Sequence, residues 1–347
     1  MNLSDLSDMV GYIMRIRNII RLGLLFGLTV GMVLLLGNSY MPQQYPDFLN
    51  TTWSEETPLK GGASGAIILK VSDGKNSYVI RKITKSKKSR NDIIREIEAQ
   101  KAASAGEYGP HLYAYDVDQK IIIMSFLEKS EEKIDSSTKA FKMAELLKKI
   151  HNGPLFSEHE LMIEQIKKKF LATVDRYPKG IDKEKILSII NEIEKIKLVK
   201  KVPVHSDLNP NNIIFVNGEY KVIDFENAGQ DDPFFDVATI ILYNFSNALD
   251  EAEFLQHYFG RTPLREELIH INAMKQAVCI FNGLTHLLRI QPQIISQAGE
   301  PIDFYELLDA YNQGKLSMED KGNVLKVAQS LLKMAIDLEQ NELSVAE

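Results

Sequence analysis

The chain has 347 residues, 44% apolar and 25% charged, enough for one two-lobed domain or two small ones. A net charge of −6 argues against a nucleic-acid partner. A single cysteine, Cys279, excludes an internal disulfide framework, fits a reducing compartment, and reads as a small buried residue on an apolar helix face.

Residues 22–37 form a run of sixteen without charge, its one hydroxyl being Thr29, preceded by Ile19, Ile20 and Arg21. The run is slightly short for a spanning helix and slightly long for a signal core. Arg15, Arg17 and Arg21 would hold the N-terminus of an inserted helix in the cytoplasm and send residues 45–347 across. Three readings stay open for this segment. One is membrane association through residues 19–37 without a full crossing. The others are delivery into another compartment, and a true start at Met41.

A Gly-rich stretch, Gly61-Gly62-Ala63-Ser64-Gly65, precedes a strand expected over 67–71, a turn at 73–76 and a second strand over 76–83. Backbone N–H groups in such a turn can approach phosphates closely. In the second strand Arg81 shares a face with Val79, and Lys82 points the other way. A helix is expected over 89–105, with Ile93, Ile94, Ile97, Ala99 and Ala103 on its buried stripe. The basic cluster Lys85, Lys87, Lys88 and Arg90 reads as a solvated start to that helix. Strands over 111–115 and 120–126 follow, then a helix over 138–152. Ser157-Glu158-His159-Glu160 reads as a capping box for the next helix, and Lys167–Lys169 as its solvated face.

The most informative stretch is His205-Ser206-Asp207-Leu208-Asn209-Pro210-Asn211-Asn212, with Asp224-Phe225-Glu226 beginning 12 residues after Asn212. Residues 205–212 are polar and contain Pro210, so they should form a loop. Residues 213–216 and 220–223 are strand-like, and Asn217-Gly218 between them is a strong hairpin signal. Folding back would set Asn212 beside Asp224, offering one metal the oxygen donors that magnesium favours. Phosphoryl transfer from ATP asks for a carboxylate to receive a hydroxyl proton, plus a carboxylate and an amide to hold magnesium. Asp207, Asp224 and Asn212 supply all three. Beyond them, the run from Asp231 to Ala238 opens a helix. Thr262 and Pro263 suit the cap and first turn of a long one, and further helices follow residue 300.

This pattern, H-x-D-x-x-x-x-N and then I-D-F-E, resembles the catalytic loop of the aminoglycoside phosphotransferase and choline kinase superfamily. The resemblance spans roughly residues 55–290. It implies an α+β, protein-kinase-like fold of two lobes: a nucleotide-binding lobe with a small antiparallel sheet over 45–128, and a larger, mostly helical lobe over 129–347. Residues 1–44 stand apart as the apolar segment. The resemblance also implies ATP and magnesium as cofactors, Asp207 as base, Asn212 and Asp224 as metal ligands, and His205 as a brace of the loop.

Further roles follow from the same resemblance. Gly61, Gly62, Ser64 and Gly65 would form the nucleotide loop. Arg81 would touch phosphate, with Lys82 as its alternative. Glu96, which precedes Gly109-Pro110 at the family's spacing, would hold Arg81, with Glu98 as competitor. Met124 and Phe126 would line the adenine pocket, and Asp236 would accept N–H bonds from the catalytic loop. Asn209 and Glu226 stand where protein kinases carry Lys and Gly, and no Ala-Pro-Glu marker occurs, which points to a small-molecule kinase. Glu226 resembles the I-D-F-E of choline and ethanolamine kinases.

A quaternary ammonium would want aromatic faces and a carboxylate, for which Tyr243, Phe245, Phe281 and Glu226 are candidates. Many relatives carry Trp where this chain has Leu284-Thr285. The expected activity is transfer of the ATP γ-phosphate to a small-molecule alcohol of the choline or ethanolamine type, in the cytoplasm. Aminoglycoside, thiamine and other small-alcohol kinases are the alternatives, and a membrane-tethered nucleotide-binding pseudokinase is the alternative from another class.

Overall fold

Short runs of Ile, Val and Tyr dominate the first third of the described chain, and such residues fit a pleated, half-buried surface. The computed structural model describes residues 51–59, 66–84, 88–196 and 200–345. In it, β1 (Glu55–Pro58), β2 (Ala66–Ser72), β3 (Ser77–Ile83), β4 (Leu112–Asp116) and β5 (Ile121–Ser125) form one antiparallel sheet in the order β1-β2-β3-β5-β4. The β2–β3 turn is closed by the Asp73 carboxylate, which accepts the N–H groups of Lys75 and Asn76 at 2.8 and 2.7 Å.

Helix α1 (Arg90–Ala105) crosses from β3 to β4. Its N-cap Ser89 and Asp92 satisfy each other's backbone in a reciprocal capping box. Ile93 and Ile97 on α1 pack against Ile83, Tyr115, Ile122 and Met124 of the sheet. Glu96 and Arg95 on the same helix are also buried, so α1 presents charge as well as hydrocarbon inward.

The remainder is mostly helical: α2 (Ser136–His151), α3 (Met162–Thr173), α4 (Lys183–Lys195), α5 (Pro233–Asn244), α6 (Ala248–Phe259), α7 (Arg265–Leu287), α8 (Pro292–Ile295), α9 (Phe304–Asn312) and α10 (Lys321–Val345). Strand β6 (Val202–Val204) pairs antiparallel with β9 (Gly229–Asp231), and β7 (Ile213–Val216) with β8 (Glu219–Val222). A core of Leu147, Ile150, Leu208, Phe225, Val237 and Ile241 sits directly beneath the 205–212 loop. A second core surrounds α7, where Gly283 lets Leu332 of α10 approach within 2.8 Å of the position a Cβ would take.

Several local expectations need correction. Helix α2 begins at Ser136, capped by Asp135 accepting the Thr138 N–H at 2.8 Å, so it starts before residue 138. Ser157–Glu160 is not a capping box. Helix α3 starts at Met162, and its first N–H is taken by Asp231 at 2.6 Å from across the fold. Thr262 does not cap α7; Leu264 does, with Glu267 accepting its N–H at 2.7 Å. Strands β1 (four residues) and β9 (three residues) and helix α4 lie outside the expected elements; the two strands are too short to show an alternating pattern.

Among the described residues, no helix is long and apolar enough to cross a membrane. The apolar run at 19–37, and the whole of residues 1–44, lie outside the described residues.

Candidate active site

The β7–β8 hairpin organises the centre of the molecule. Asn217 (φ 50°) and Gly218 (φ 80°) both take positive φ, the requirement of the tight hairpin turn whose twist matches its strands. The register sets Ile213 opposite Val222, and the Ile223 N–H donates to the Asn212 carbonyl at 2.9 Å. Asn212, before the hairpin, and Asp224, after it, therefore come side by side. Asn212 Nδ2 donates to the Asp207 carbonyl at 2.9 Å, which ties the third residue of the expected set to the other two. The Asp207 carboxylate accepts a bond from Asn209 Nδ2 at 2.8 Å.

Below the loop, the Asp236 carboxylate is fully buried and accepts the backbone N–H of His205 at 2.7 Å and of Ser206 at 2.8 Å. Asp236 also lies 3.4 Å from His151 Nε2, and His151 Nδ1 meets the Tyr258 hydroxyl at 2.8 Å. His205 Nε2 lies 3.0 Å from the Ile223 carbonyl, so it must be the protonated nitrogen, and the ring packs edge-on against Phe225. His205 thus links the loop to the hairpin exit. On the outer side, the Tyr311 hydroxyl of α9 donates to Asn211 Oδ1 at 3.0 Å.

On the sheet side, Arg81 is buried and Lys82 exposed, as strand parity requires. Arg81 Nε donates to Glu96 at 2.7 Å, and its Nη2 lies 3.0 Å from Glu226 and 3.2 Å from Asp224 Oδ1. Glu96, not Glu98, is the partner of Arg81; Glu98 accepts the Ser157 N–H at 2.9 Å instead. Lys88 Nζ reaches Glu96 and Glu226, each at 3.0 Å. Its expected place on a solvated helix start is wrong, because two carboxylates draw it inward.

Asp224 sits in the left-handed region with φ 65°. Its Oδ1 is buried and accepts no hydrogen bond; the approach of Arg81 is an ion pair without hydrogen-bond alignment. Burial pushes the Asp224 carboxyl up to about 6; Arg81 pulls it down, while Glu226, Glu96 and Asp207 push it further up. A buried carboxylate oxygen short of a donor, on the residue that the hairpin returns next to Asn212, is a chemical fit for a hard divalent cation.

Phe225 is held between Tyr108 and His205, and Gly109 permits this: a Cβ there would lie 3.3 Å from the Phe225 ring and 2.7 Å from Ala103. Sequence reasoning missed Arg95. It is buried on α1 and donates to the Ala228 carbonyl at 2.9 Å, clamping the turn that follows Asp-Phe-Glu. Its tether to Asp92 three residues earlier is the only local sign, and such pairs are common on exposed helix faces.

Met124 faces the core between sheet and α1. Phe126, just past β5, carries Lys70 Nζ 4.0 Å above its ring. Gly61, Gly62, Ser64 and Gly65 lie outside the described residues.

The expected ammonium cage is not assembled. Phe281 is buried beneath Lys169 Nζ at 4.6 Å, and buried Phe245 has Lys139 Nζ at 5.5 Å, so each ring faces a cation of the chain itself. Glu226 is engaged by Arg81 and Lys88. Tyr243 feels the Asp207 charge. Burial, and then Cys279 and Asp207, push its hydroxyl upward, and Asn282 lies 3.3 Å away.

A model of the phosphotransferase enzyme family matches residues 55–268. Among curated proteins none matches. Solved structures similar to this chain include the choline kinase LicA from Streptococcus pneumoniae, at 19% identity and TM-score 0.58, covering 83% of this chain and 96% of that one. A choline/ethanolamine kinase family protein from Mesorhizobium loti is similar at 14% identity and TM-score 0.57, covering 81% and 95%. An ethanolamine kinase from Plasmodium vivax is similar at 20% identity and TM-score 0.54, covering 86% of each chain. At these identities the likeness is one of fold: a small antiparallel sheet beside a larger helical part.

Proposed function

The chain belongs to the phosphotransferase enzyme family, and from that membership we propose an ATP- and magnesium-dependent kinase that moves the γ-phosphate to the hydroxyl of a small-molecule alcohol. The observation that carries this reading is the convergence of Asp207, Asn212 and Asp224 through the hairpin and the loop it anchors. Residues 45–128 would be the nucleotide lobe and residues 129–347 the lobe that takes the acceptor.

In this reading Asp207 receives the proton of the acceptor hydroxyl. Asn209 holds one oxygen of that carboxylate, so the group keeps a fixed orientation. Asp236 secures the loop from below through the N–H groups of His205 and Ser206. Arg81, fixed by Glu96, would meet the phosphates, and the Gly-rich stretch of Gly61, Gly62, Ser64 and Gly65 would be the nucleotide loop. Met124 and Phe126 stand at the adenine end. Asn212 and Asp224 would hold magnesium, which when bound screens the phosphate charge during transfer.

An amino alcohol of the choline or ethanolamine type is the first acceptor proposed, on the support of the family and of similarly folded kinases. With Phe245 and Phe281 already facing lysines, its recognition would rest on Tyr243 and not on a full aromatic cage. Thiamine, aminoglycosides and other small alcohols come next. With ATP as donor, the proposed location is the cytoplasm, with membrane association through residues 19–37 as the alternative.

The test is a radiolabelled phosphate-transfer screen of the full chain with magnesium-ATP against choline, ethanolamine, thiamine, aminoglycosides and a generic protein substrate. Transfer to one small alcohol is expected. Nucleotide binding with no transfer to any acceptor would favour the pseudokinase, and labelling of the protein substrate alone would make it a protein kinase.

A further inference from the structure

Five charged side chains meet between the sheet and the hairpin exit. Arg81 joins Glu96 Oε1 to Glu226 Oε2, and Lys88 joins Glu96 Oε2 to that same Glu226 oxygen, so the four groups close a ring. Asp224 hangs from this ring through Arg81 alone, at 3.2 Å. Three carboxylates thus share two cations. Taking such groups out of water is costly unless each charge is matched, so every cation here governs the binding of any further ion.

The two cations are held differently. Arg81 lies on a central strand with its side chain 5% exposed, while the Lys88 side chain is 19% exposed and comes from the stretch just before the N-cap of α1. Lys88 is kept in place by its two acids and, at its carbonyl, by Lys120 Nζ at 3.5 Å. It also spans a long sequence gap: Lys88 and Glu226 are 138 residues apart. Because both cations touch both glutamates, either can compensate them when the other moves. Among the described residues, Asp224 has no such second partner.

We propose that Lys88 is a positioning residue for the nucleotide–magnesium corner. It keeps Glu96 and Glu226 neutralised, so that Arg81 is free to turn toward phosphate. This inference rests on the kinase reading above. Lys88 has a second effect by charge alone: its ammonium opposes a divalent cation beside Asp224 and favours a polyanionic nucleotide. Loss of Lys88 should therefore move metal affinity and nucleotide affinity in opposite directions. A residue that merely supported the fold would weaken both together.

The experiment uses the full chain as wild type, Lys88→Met, Lys88→Gln and Lys88→Arg. Manganese alone is titrated as the metal probe, and magnesium-ADP as the nucleotide probe, by calorimetry. KM for ATP, kcat and thermal melting are measured alongside. For Met and Gln, manganese should bind roughly three- to tenfold tighter and magnesium-ADP roughly three- to tenfold weaker, the scale of one unit charge across a part-exposed site. Arginine should restore both affinities. Parallel weakening of the two ligands, or no change in either, in a variant that melts like wild type would overturn the Lys88 assignment while leaving the kinase reading intact. A wild-type chain that binds neither probe and transfers no phosphate would remove the kinase reading, and this inference with it.

Discussion

Asp236 Oδ1 accepts the backbone N–H of Ser206 at 2.8 Å, and Ser206 holds a φ of 63°, a region that L-residues enter at a cost. The same carboxylate takes the His205 N–H, so one fully buried side chain fixes the backbone leading directly into Asp207. Asp236→Ala should leave two buried N–H groups unmatched and lower stability by about 3–5 kcal/mol, with a larger proportional fall in activity. Urea denaturation followed by fluorescence checks the first, and transfer assays on the folded fraction check the second. A variant as stable as wild type would mean that water replaces the carboxylate without loss.

Asp207→Ala tests the proposed base. Among the described residues its carboxylate accepts one hydrogen bond, from Asn209 Nδ2, so the fold should tolerate the change. A fall in kcat of about 10²- to 10⁴-fold is expected, the usual contribution of a positioned base. Magnesium-ADP affinity and melting temperature should stay near wild type. Undiminished turnover would end the assignment.

The Asp224 carboxyl lies at about 6 in the folded chain against 3.8 for the free group, chiefly through burial. Between those values the folded state holds a proton that the unfolded chain has released, so stability falls as pH rises through the window. Asp224→Asn removes the buried charge. Without metal it should be more stable than wild type above about pH 6, by about 1–3 kcal/mol, and the gap should vanish toward about pH 4. Paired thermal melts across that range measure it. Manganese binding by wild type should weaken as pH drops through the same window, since protonation takes away the proposed ligand. Identical pH dependence in both proteins would show that Asp224 is not the titrating group.

Cys279 is fully buried on α7, and burial pushes its thiol up to about 12. The native protein should not react with a thiol reagent such as DTNB at neutral pH, and one equivalent should appear on unfolding. Fast labelling of the folded chain would mean that α7 opens readily.

The sequence alone determined those features whose partners are close neighbours along the chain. Asn217-Gly218 dictated a hairpin, the hairpin dictated that Asn212 meets Asp224, and strand parity turned Arg81 inward and Lys82 outward. Such features depend on dihedral preference and alternation, which a few residues specify. Tertiary structure alone decided the rest. It chose Glu96 over Glu98 for Arg81, drew Lys88 out of an apparently solvated basic cluster, and gave Arg95 the carbonyl of Ala228, 133 residues away. It also placed Lys139 and Lys169 against the aromatic rings that looked ready for a ligand. A long charged side chain goes wherever burial supplies an opposite charge or a π-face, and that environment is assembled by segments with no local record of one another.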